Sequence, residues 1–264
     1  MTLRASIVFH VCCTLFFLLY PAYWRWALGG ILLNHAMLTA LVFWPRGRLL
    51  GPNMTRLPEA AVRRKEVALT FDDGPDPEIT PQVLDQLDRY DAKASFFCIA
   101  NKVEAFPELA REIIRRGHSL ENHTYSHPYG FAAFGWGGLR REVQKAQKAI
   151  QDIAGVTPQF FRAPMGFRSP FLAPVIEYAG LHYVTWTRRG YDVFENDPGL
   201  VIQRLQHDLA AGDILLLHDG RSHQPHGGSK VVLQVLPKLL DQLYARGLKS
   251  VSLPSALLES KHDI

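Results

Sequence analysis

The sequence has little cysteine, two long N-terminal stretches without charge, and almost no excess of either charge sign elsewhere. Three cysteines in 264 residues exclude a disulfide framework, and Cys98, which lies in an apolar run, is predicted to be a small buried side chain. Arg4 and Arg25 are the only charged residues before Arg46, so 27 basic residues stand against 25 acidic ones in the remainder. This balance argues against a nucleic-acid-binding protein.

The two uncharged stretches, 5–23 and 26–44, are each about as long as the roughly 20 residues that cross a bilayer. We therefore predict a membrane-spanning helical hairpin over residues 1–45, with a pair of buried core helices as the alternative. Basic residues follow the second stretch closely, whereas Arg25 alone lies between the stretches. The positive-inside rule then places the rest of the chain in the cytoplasm, and a single span would reverse this orientation.

After a Pro-, Gly- and Arg-rich linker at 46–64, apolar runs alternate with amphipathic stretches, and no internal repeat is visible. Strands are predicted at Val67–Phe71, Ala94–Ile99, His182–Trp186, Ile214–Leu217 and Ser250–Ser252. Helices are predicted at Pro81–Tyr90, Pro107–Arg116, Leu139–Ile153, Pro198–Ala211 and Val231–Arg246. Strands that alternate with helices predict an α/β domain, a parallel sheet or β/α barrel, over residues 65–256, followed by a tail at 257–264.

Two carboxylates, Asp72 and Asp73, end the first strand and precede a Gly-Pro turn. This pair fits a simple turn, but it also fits metal-assisted hydrolysis, which needs one carboxylate on the metal and another that takes a proton. Because adjacent strand residues point to opposite faces, the two carboxylates are expected to have different roles. His123 and His127 are four residues apart and would share one face of a helical turn. Two histidines with Asp73 form a common catalytic metal set and favour the hydrolase over the turn.

Four segments of the chain resemble the motifs of the polysaccharide deacetylase family, also called the NodB-homology domain or carbohydrate esterase family 4. They are Thr70-Phe71-Asp72-Asp73, His123-Thr124-Tyr125-Ser126-His127, Phe161-Arg162-Ala163-Pro164-Met165-Gly166 and Leu216-Leu217-His218. The resemblance runs from about Lys65 to about Leu253. It implies a distorted (β/α) barrel with a divalent metal, most often Zn²⁺ with Co²⁺ or Ni²⁺ as alternatives, that removes N- or O-acetyl groups from sugars.

The resemblance also implies a role for each matching residue. The implied metal ligands are Asp73, His123 and His127. Asp72 would be the general base, and Arg162 would pair with that base through a bidentate guanidinium. Met165 would donate its backbone N–H to the oxyanion, and His218 would protonate the leaving amine.

The fourth motif departs from the family pattern Asp-x-x-Asp-Trp, because this chain has Arg189 in the first aspartate's place and Val193 in the tryptophan's. In the family, as the resemblance implies, that first aspartate orients the acid histidine and raises its pKa. An arginine would do the opposite. Either Asp192 or Asp219 then replaces it, or the acid step differs.

We expect a metal-dependent hydrolase that cleaves an amide other than a peptide bond, removing an acyl group, most often N-acetyl, from a polysaccharide or lipid-linked glycan. The alternatives are a non-catalytic membrane-anchored sugar-binding module and a deformylase or amidase that acts on a lipid-linked amino sugar. The expected partners are the glycan and the membrane, with the chain in the bacterial inner membrane. His223 and His226 are expected to border the cleft.

Overall fold

A computed structural model describes residues 2–220 and 230–258. His223 and His226 lie outside the described residues, as does most of the predicted tail. The strands are β1 (Glu66–Asp72), β2 (Ala94–Cys98), β3 (Ser119–Asn122), β4 (Phe160–Phe161), β5 (His182–Tyr183), β6 (Arg188–Arg189), β7 (Ile214–His218) and β8 (Lys249–Ser250).

Helices separate most of these strands, as the alternating pattern predicts. They are α1 (Thr2–Leu19), α2 (Trp24–Val42), α3 (Glu59–Arg63), α4 (Thr80–Arg89), α5 (Ala100–Ala105), α6 (Pro107–Arg115), α7 (Trp136–Ala154), α8 (Leu172–Tyr178), α9 (Pro198–Gln206), α10 (Val231–Ala245) and α11 (Leu253–Leu258). Short 3-10 turns lie at Pro21–Tyr23, Phe131–Ala133 and Pro164–Gly166.

The strands pair in parallel in the order β5-β4-β3-β2-β1-β7-β6, with β8 beside the start of β1. In the described part of the chain no ladder joins β5 to β6, so the sheet is open. The fold is therefore an α/β half-barrel with a parallel sheet. The predicted α/β class is confirmed, and the predicted distorted barrel is present as a half-barrel. The central strand β1 is buried along its whole length, which explains its unbroken apolar pattern.

Helix α4 shows how the amphipathic stretches cover the sheet. Its side chains Val83, Leu84 and Leu87 are fully buried, whereas Gln82, Asp85 and Asp88 are exposed. They belong to the same core cluster as Phe71 and Phe96, whose rings stack with centroids 5.0 Å apart. Cys98 is also buried in this cluster and carries a free thiol, as the sequence predicts.

Strand β3 was not predicted, because its residues are polar and yet almost fully buried. The Glu121 carboxylate accepts hydrogen bonds from the backbone N–H groups of Gln159 (2.9 Å) and Phe160 (2.8 Å). The Asn122 amide donates to the Val143 carbonyl oxygen in α7 at 3.0 Å. Burial raises the pKa of Glu121 to about 7. Local hydrogen bonds thus replace the apolar pattern by which a buried strand is usually recognised.

The N-terminal helices α1 and α2 form a helical pair, in which the Asn34 amide donates to the Ser6 hydroxyl at 2.7 Å. Across the described residues, no helix combines the length and the apolar character that a membrane crossing requires. The predicted membrane-spanning hairpin is therefore not supported. Polar side chains inside the two stretches, such as Asn34 and the paired His10 and His35, reduce their hydropathy.

The predicted linker at 46–64 packs against the α/β domain and is not a separate connection between the helical pair and that domain. Met54 forms a parallel bridge with Val184, and Arg56 forms an antiparallel bridge with Asp213. Leu57 is buried in a core cluster at this side of the sheet. The segment therefore extends the folded domain up to the end of α2.

The packing of α4 leads to a stability prediction. Leu87→Ala should lower the free energy of unfolding by about 2–5 kcal/mol, because it leaves a cavity between helix and sheet. Arg89→Ala, at an exposed position of the same helix, should change it by less than about 0.5 kcal/mol. Chemical denaturation followed by circular dichroism measures both values. Equal effects of the two substitutions would contradict this account of the core.

Candidate active site

The end of β1 directs two carboxylates into one cavity. Asp72 is the last residue of the strand, and Asp73 has a φ of 72°, which ends the alternation of side chains between faces. The His123 Nε2 atom lies 3.9 Å from Asp72 Oδ2 and 3.4 Å from Asp73 Oδ1. The alternation of side chains between the two faces of the sheet therefore does not extend to Asp73, because its left-handed backbone turns the side chain back toward the site.

Asp73, His123 and His127 form a cluster with the geometry of a metal site. Their ligand atoms all lie within 4.8 Å of one another, and His127 Nε2 is 3.1 Å from Asp73 Oδ1. The His123 Nδ1–H group donates to the Arg162 carbonyl oxygen at 2.9 Å, which in the neutral imidazole leaves the Nε2 lone pair facing the cluster. Two imidazole nitrogens and one carboxylate oxygen suit Zn²⁺ and leave coordination positions open. The residues present therefore fit a divalent transition metal.

A loop, and not the predicted helical turn, brings the two histidines together. After β3 ends, Thr124 and His127 adopt φ values of 68° and 52°. The Thr124 hydroxyl accepts the His127 N–H (3.0 Å), and the Asn122 side chain accepts the Thr124 N–H (3.0 Å). The spacing of four residues thus reflects a tight loop whose own side chains hold its shape.

Electrostatics keep the Asp73 carboxylate ionised. Burial raises its pKa, but the hydrogen bond and charge of His123, with the charges of His218 and His127, hold the pKa well below its usual range. The Lys102 ammonium group also donates to the Asp73 carbonyl oxygen at 2.7 Å. Lys102 was not recognised in the sequence, because it lies in α5, which the pattern did not predict.

Arg162 is fully buried and forms an ion pair with Asp72, with 2.6 Å between a guanidinium nitrogen and Asp72 Oδ1. The guanidinium also donates to the Thr70 hydroxyl and to the Thr185 carbonyl oxygen, both at 3.0 Å. Burial lowers the pKa of Arg162 and the charge of Asp72 raises it. An arginine stays protonated in either case. The two residues are thus paired, but through one guanidinium nitrogen and one Asp72 oxygen and not in the expected bidentate form.

His218 is paired with Asp192. The Asp192 carboxylate accepts hydrogen bonds from the His218 backbone N–H (2.8 Å) and from its Nδ1–H (2.9 Å). Burial lowers the pKa of His218, but the charge and hydrogen bond of Asp192, together with the charges of Asp72 and Asp73, raise it above its ordinary value. Of the two alternatives drawn from the sequence, Asp192 is the carboxylate that contacts His218.

Asp219 instead supports the turn that follows Asp73. Its carboxylate accepts a hydrogen bond from the Thr80 hydroxyl at 2.6 Å, and burial raises its pKa to about 7. A Cβ atom at Gly74 would lie 2.4 Å from the Asp219 carboxylate. Only glycine fits between the turn and this side chain.

The loop after β4 places Met165 at the rim of the cavity. Met165 has a φ of 57°, and its side chain is 38% exposed. Its backbone N–H has no hydrogen-bond acceptor among the described residues. The next residue, Gly166, lies so close to Trp186 that a Cβ atom would be 2.5 Å from the indole ring. The loop therefore offers a free N–H at the position expected for an oxyanion donor.

A cavity of about 200 Å³ is lined by six of the residues singled out in the sequence, which are Asp72, Asp73, His123, His127, Met165 and His218. Its wall includes residues that the sequence analysis did not identify as site residues, which are Tyr129, Gly166, Trp186, Phe194 and Leu216. Most of them lie in or next to one of the four motif segments, and this proximity was the only feature of the sequence that could have identified them. A larger cavity of about 820 Å³ lies between the segment 48–58 and α8 and contains none of the clustered residues.

Comparison with known proteins identifies the family. Residues 59–184 match the family model for polysaccharide deacetylase. A peptidoglycan-N-acetylglucosamine deacetylase of Bacillus cereus is 32% identical over 206 residues, which cover 77% of this chain and 93% of that protein. A chitooligosaccharide deacetylase of Sinorhizobium fredii is 31% identical over 204 residues, covering 75% and 94%.

Solved structures agree with this result. The crystal structure of a peptidoglycan N-acetylglucosamine deacetylase bound to 4-naphthalen-1-yl-N-oxidanyl-benzamide superposes with a TM-score of 0.68 at 31% sequence identity. The match covers 77% of this chain and 92% of that one. The half-barrel fold, the motifs and the similar proteins lead to one conclusion: this chain belongs to the polysaccharide deacetylase family.

Proposed function

We propose that this protein is a metal-dependent hydrolase that removes the N-acetyl group from a sugar of a glycan. The observation that carries the proposal is the meeting of three units in one cavity: the Asp73–His123–His127 cluster, the Asp72–Arg162 ion pair and the His218–Asp192 pair. The similar proteins of Bacillus cereus and Sinorhizobium fredii, which are sugar deacetylases by name, support the same reaction.

Asp73, His123 and His127 would hold the metal, most readily Zn²⁺. When bound, such an ion polarises an amide carbonyl and makes a water molecule more acidic. Arg162 contacts one oxygen of Asp72, and the other oxygen faces the metal cluster. Asp72 is thus oriented to take a proton from an attacking water, a step that typically contributes about 10²–10⁴-fold to the rate.

Departure of the amine requires a second proton transfer, in which an acid donates a proton to the amine nitrogen. The Nδ1–H of His218 is donated to Asp192, so the Nε2 atom is the one available to the cavity. Burial lowers the pKa of His218, but the Asp192 carboxylate and the charges of Asp72 and Asp73 raise it, which favours the protonated form that a general acid requires. The free Met165 N–H donates to the oxyanion that develops on the acyl carbonyl.

A lipid-linked glycan is the substrate that we propose within this class. The end of α2 contacts the loop that carries Met165, with the rings of Phe43 and Phe167 4.9 Å apart. Large apolar side chains on the same helix are exposed, including Trp26 (77%) and Leu33 (72%). Such an exposed apolar surface, on the helix whose end contacts the Met165 loop, fits a substrate whose lipid part lies against the helical pair. Location at the bacterial inner membrane, facing the cytoplasm, stays a prediction from the sequence.

The metal cluster gives the first test. Asp73→Asn and His127→Gln should each weaken Zn²⁺ binding by more than about 100-fold, the upper end of what is lost when only a ligand's hydrogen-bond partner is removed. Asp72→Asn should retain Zn²⁺ but lose more than about 10²-fold in acetate release from chitotetraose or peptidoglycan. Calorimetric zinc titration and an acetate assay measure the two effects.

Two results would contradict the proposal. Full acetate release by metal-free protein would remove the metal from the mechanism. No release of acetate or formate from any acylated sugar by the zinc-loaded protein would leave the non-catalytic sugar-binding module as the better description.

The Asp192–His218 pair predicts a shift in pH dependence. His218 acts in its protonated form, so activity falls as pH rises through its pKa. Asp192→Asn removes the charge that raises this pKa, and the alkaline limb of the kcat profile should therefore move to lower pH. A histidine titration by NMR should show the same direction. Asp208→Asn, at an exposed carboxylate, is the control, and an unshifted limb in Asp192→Asn would disprove the role of the pair.

The lipid-linked substrate predicts a role for the exposed apolar surface. The double variant Trp26→Ser, Leu33→Ser should lose at least about tenfold in rate on polyprenyl-linked N-acetylglucosamine in vesicles, because each apolar side chain that leaves water contributes about 1.5–3 kcal/mol. Its rate on soluble chitotetraose should not change. Tyr244→Ser, at an 81% exposed position of α10, is the control. Equal rates of parent and double variant on the vesicle substrate would favour a soluble glycan.

A further inference from the structure

Arg189 is a cationic side chain of the catalytic cavity that no step of the proposed reaction uses. It lines the cavity together with Asp72 and His218. Among the described residues, its guanidinium has no ion pair and no hydrogen-bond acceptor, and its Nε atom is buried without a partner. Since placing a charge in a partly buried site is costly when it is unpaired, Arg189 requires an anion from elsewhere.

The acidic groups around Arg189 are already engaged. Asp72 is paired with Arg162, and Asp192 is paired with His218. Glu195 is paired with Arg204 at 3.0 Å. Asp73 belongs to the metal cluster. The protein therefore supplies no carboxylate to Arg189 within the described residues.

The position of Arg189 is nevertheless fixed. Its backbone is paired with Leu216 in the sheet, and its guanidinium lies 5.0 Å from the ring centre of Trp186 and 4.9 Å from that of Tyr191. Aromatic contacts of this kind hold a guanidinium without using its N–H groups. The ring contacts therefore leave the N–H groups of Arg189 without an acceptor among residues 2–220 and 230–258.

Comparison with the neighbouring Arg188 shows that the lack of a carboxylate partner is particular to Arg189. Arg188 is on the same strand and therefore on the other face of the sheet. It is paired with the buried carboxylate of Asp213 at 2.7 Å. Of two adjacent arginines, the one directed away from the cavity has a protein partner and the one in the cavity does not.

We propose that Arg189 is a specificity-determining residue that binds an anionic group of the substrate, a phosphate or a carboxylate, close to the acetamido group. This inference rests on the proposed function, because it assumes that a sugar occupies the cavity. A cavity of about 200 Å³ restricts the anionic group to the acetylated sugar itself or to its next linkage. The protein thus prefers an anionic glycan over a neutral one.

The test compares substrates that differ in charge, using the zinc-loaded full chain. The neutral substrate is chitotetraose, the phosphate substrate is a short-chain alkyl diphosphate of N-acetylglucosamine, and the carboxylate substrate is N-acetylglucosaminyl-N-acetylmuramic acid. Arg189→Gln should lower the ratio of kcat/KM for an anionic substrate to that for chitotetraose by about 10- to 100-fold, which corresponds to the loss of a hydrogen bond to a charged group. Most of the change should be in KM.

The control variants show whether the effect depends on Arg189 itself or on any nearby charge. The two anionic substrates identify the anion that Arg189 binds. Arg204→Gln removes a nearby charge that is already paired with Glu195 and should leave the ratio unchanged within about twofold. Arg189→Lys should recover only part of the preference, because it lacks the planar fork. A fall confined to the diphosphate assigns the anion to a phosphate, and a fall confined to the muramic acid disaccharide assigns it to a carboxylate. A ratio that stays within about twofold in Arg189→Gln overturns the inference.

A second readout does not depend on turnover. Inorganic phosphate titrated into metal-free protein should bind the parent and Arg204→Gln more tightly than Arg189→Gln. If no substrate is hydrolysed but this difference is found, the deacetylase proposal fails and the anion site stands. If acetate is released but neither phosphate binding nor the ratio of kcat/KM changes in Arg189→Gln, the anion site fails and the deacetylase stands.

Discussion

The buried guanidinium of Arg162 is the contact on which the rest of the site depends. Its N–H groups hold Asp72 and Thr70 on the central strand and the Thr185 carbonyl oxygen beyond β5. The Arg162 carbonyl oxygen accepts the Nδ1–H of His123 and thereby orients its imidazole toward Asp73 and His127. Removing one partner of such a buried pair typically costs about 3–5 kcal/mol. One residue thus couples the Asp72 carboxylate, the Asp73–His123–His127 cluster and the strands that carry them.

The parallel sheet explains why these groups meet. Asp72, His123, Arg162 and His218 come at or just after the carboxyl ends of β1, β3, β4 and β7, and parallel strands present those ends at one edge. The side chains of the candidate active site therefore lie at strand ends and in short loops, while the sheet and its helices hold these loops in place. Three of those loops depend on left-handed residues, Asp73, His127 and Met165. Such conformations are costly and persist where the surrounding contacts impose them.

Much of the fold and of the candidate site was predicted from the sequence, and the features that were missed have physical causes. β1 and α4 were predicted to within one residue at each end, because burial on both faces or on one stripe leaves a clear apolar pattern. β3 was missed because hydrogen bonds satisfy its buried polar residues. The spacing of His123 and His127 suggested a helical turn, because the left-handed backbone conformation of their loop cannot be recognised from the sequence. The choice between Asp192 and Asp219 depends on which carboxylate faces His218, and only three-dimensional packing decides that.

The central claim is that one carboxylate holds a metal while its neighbour in sequence stays free to act as a base. The most direct measurement is an anomalous-difference crystal structure of the zinc-loaded protein, recorded at the zinc absorption edge. The account predicts a single strong peak at about 2.0–2.2 Å from an Asp73 oxygen and from the Nε2 atoms of His123 and His127, with Asp72 outside coordination distance and still paired with Arg162. Coordination of the zinc by Asp72, or a zinc peak away from these three residues, would contradict it.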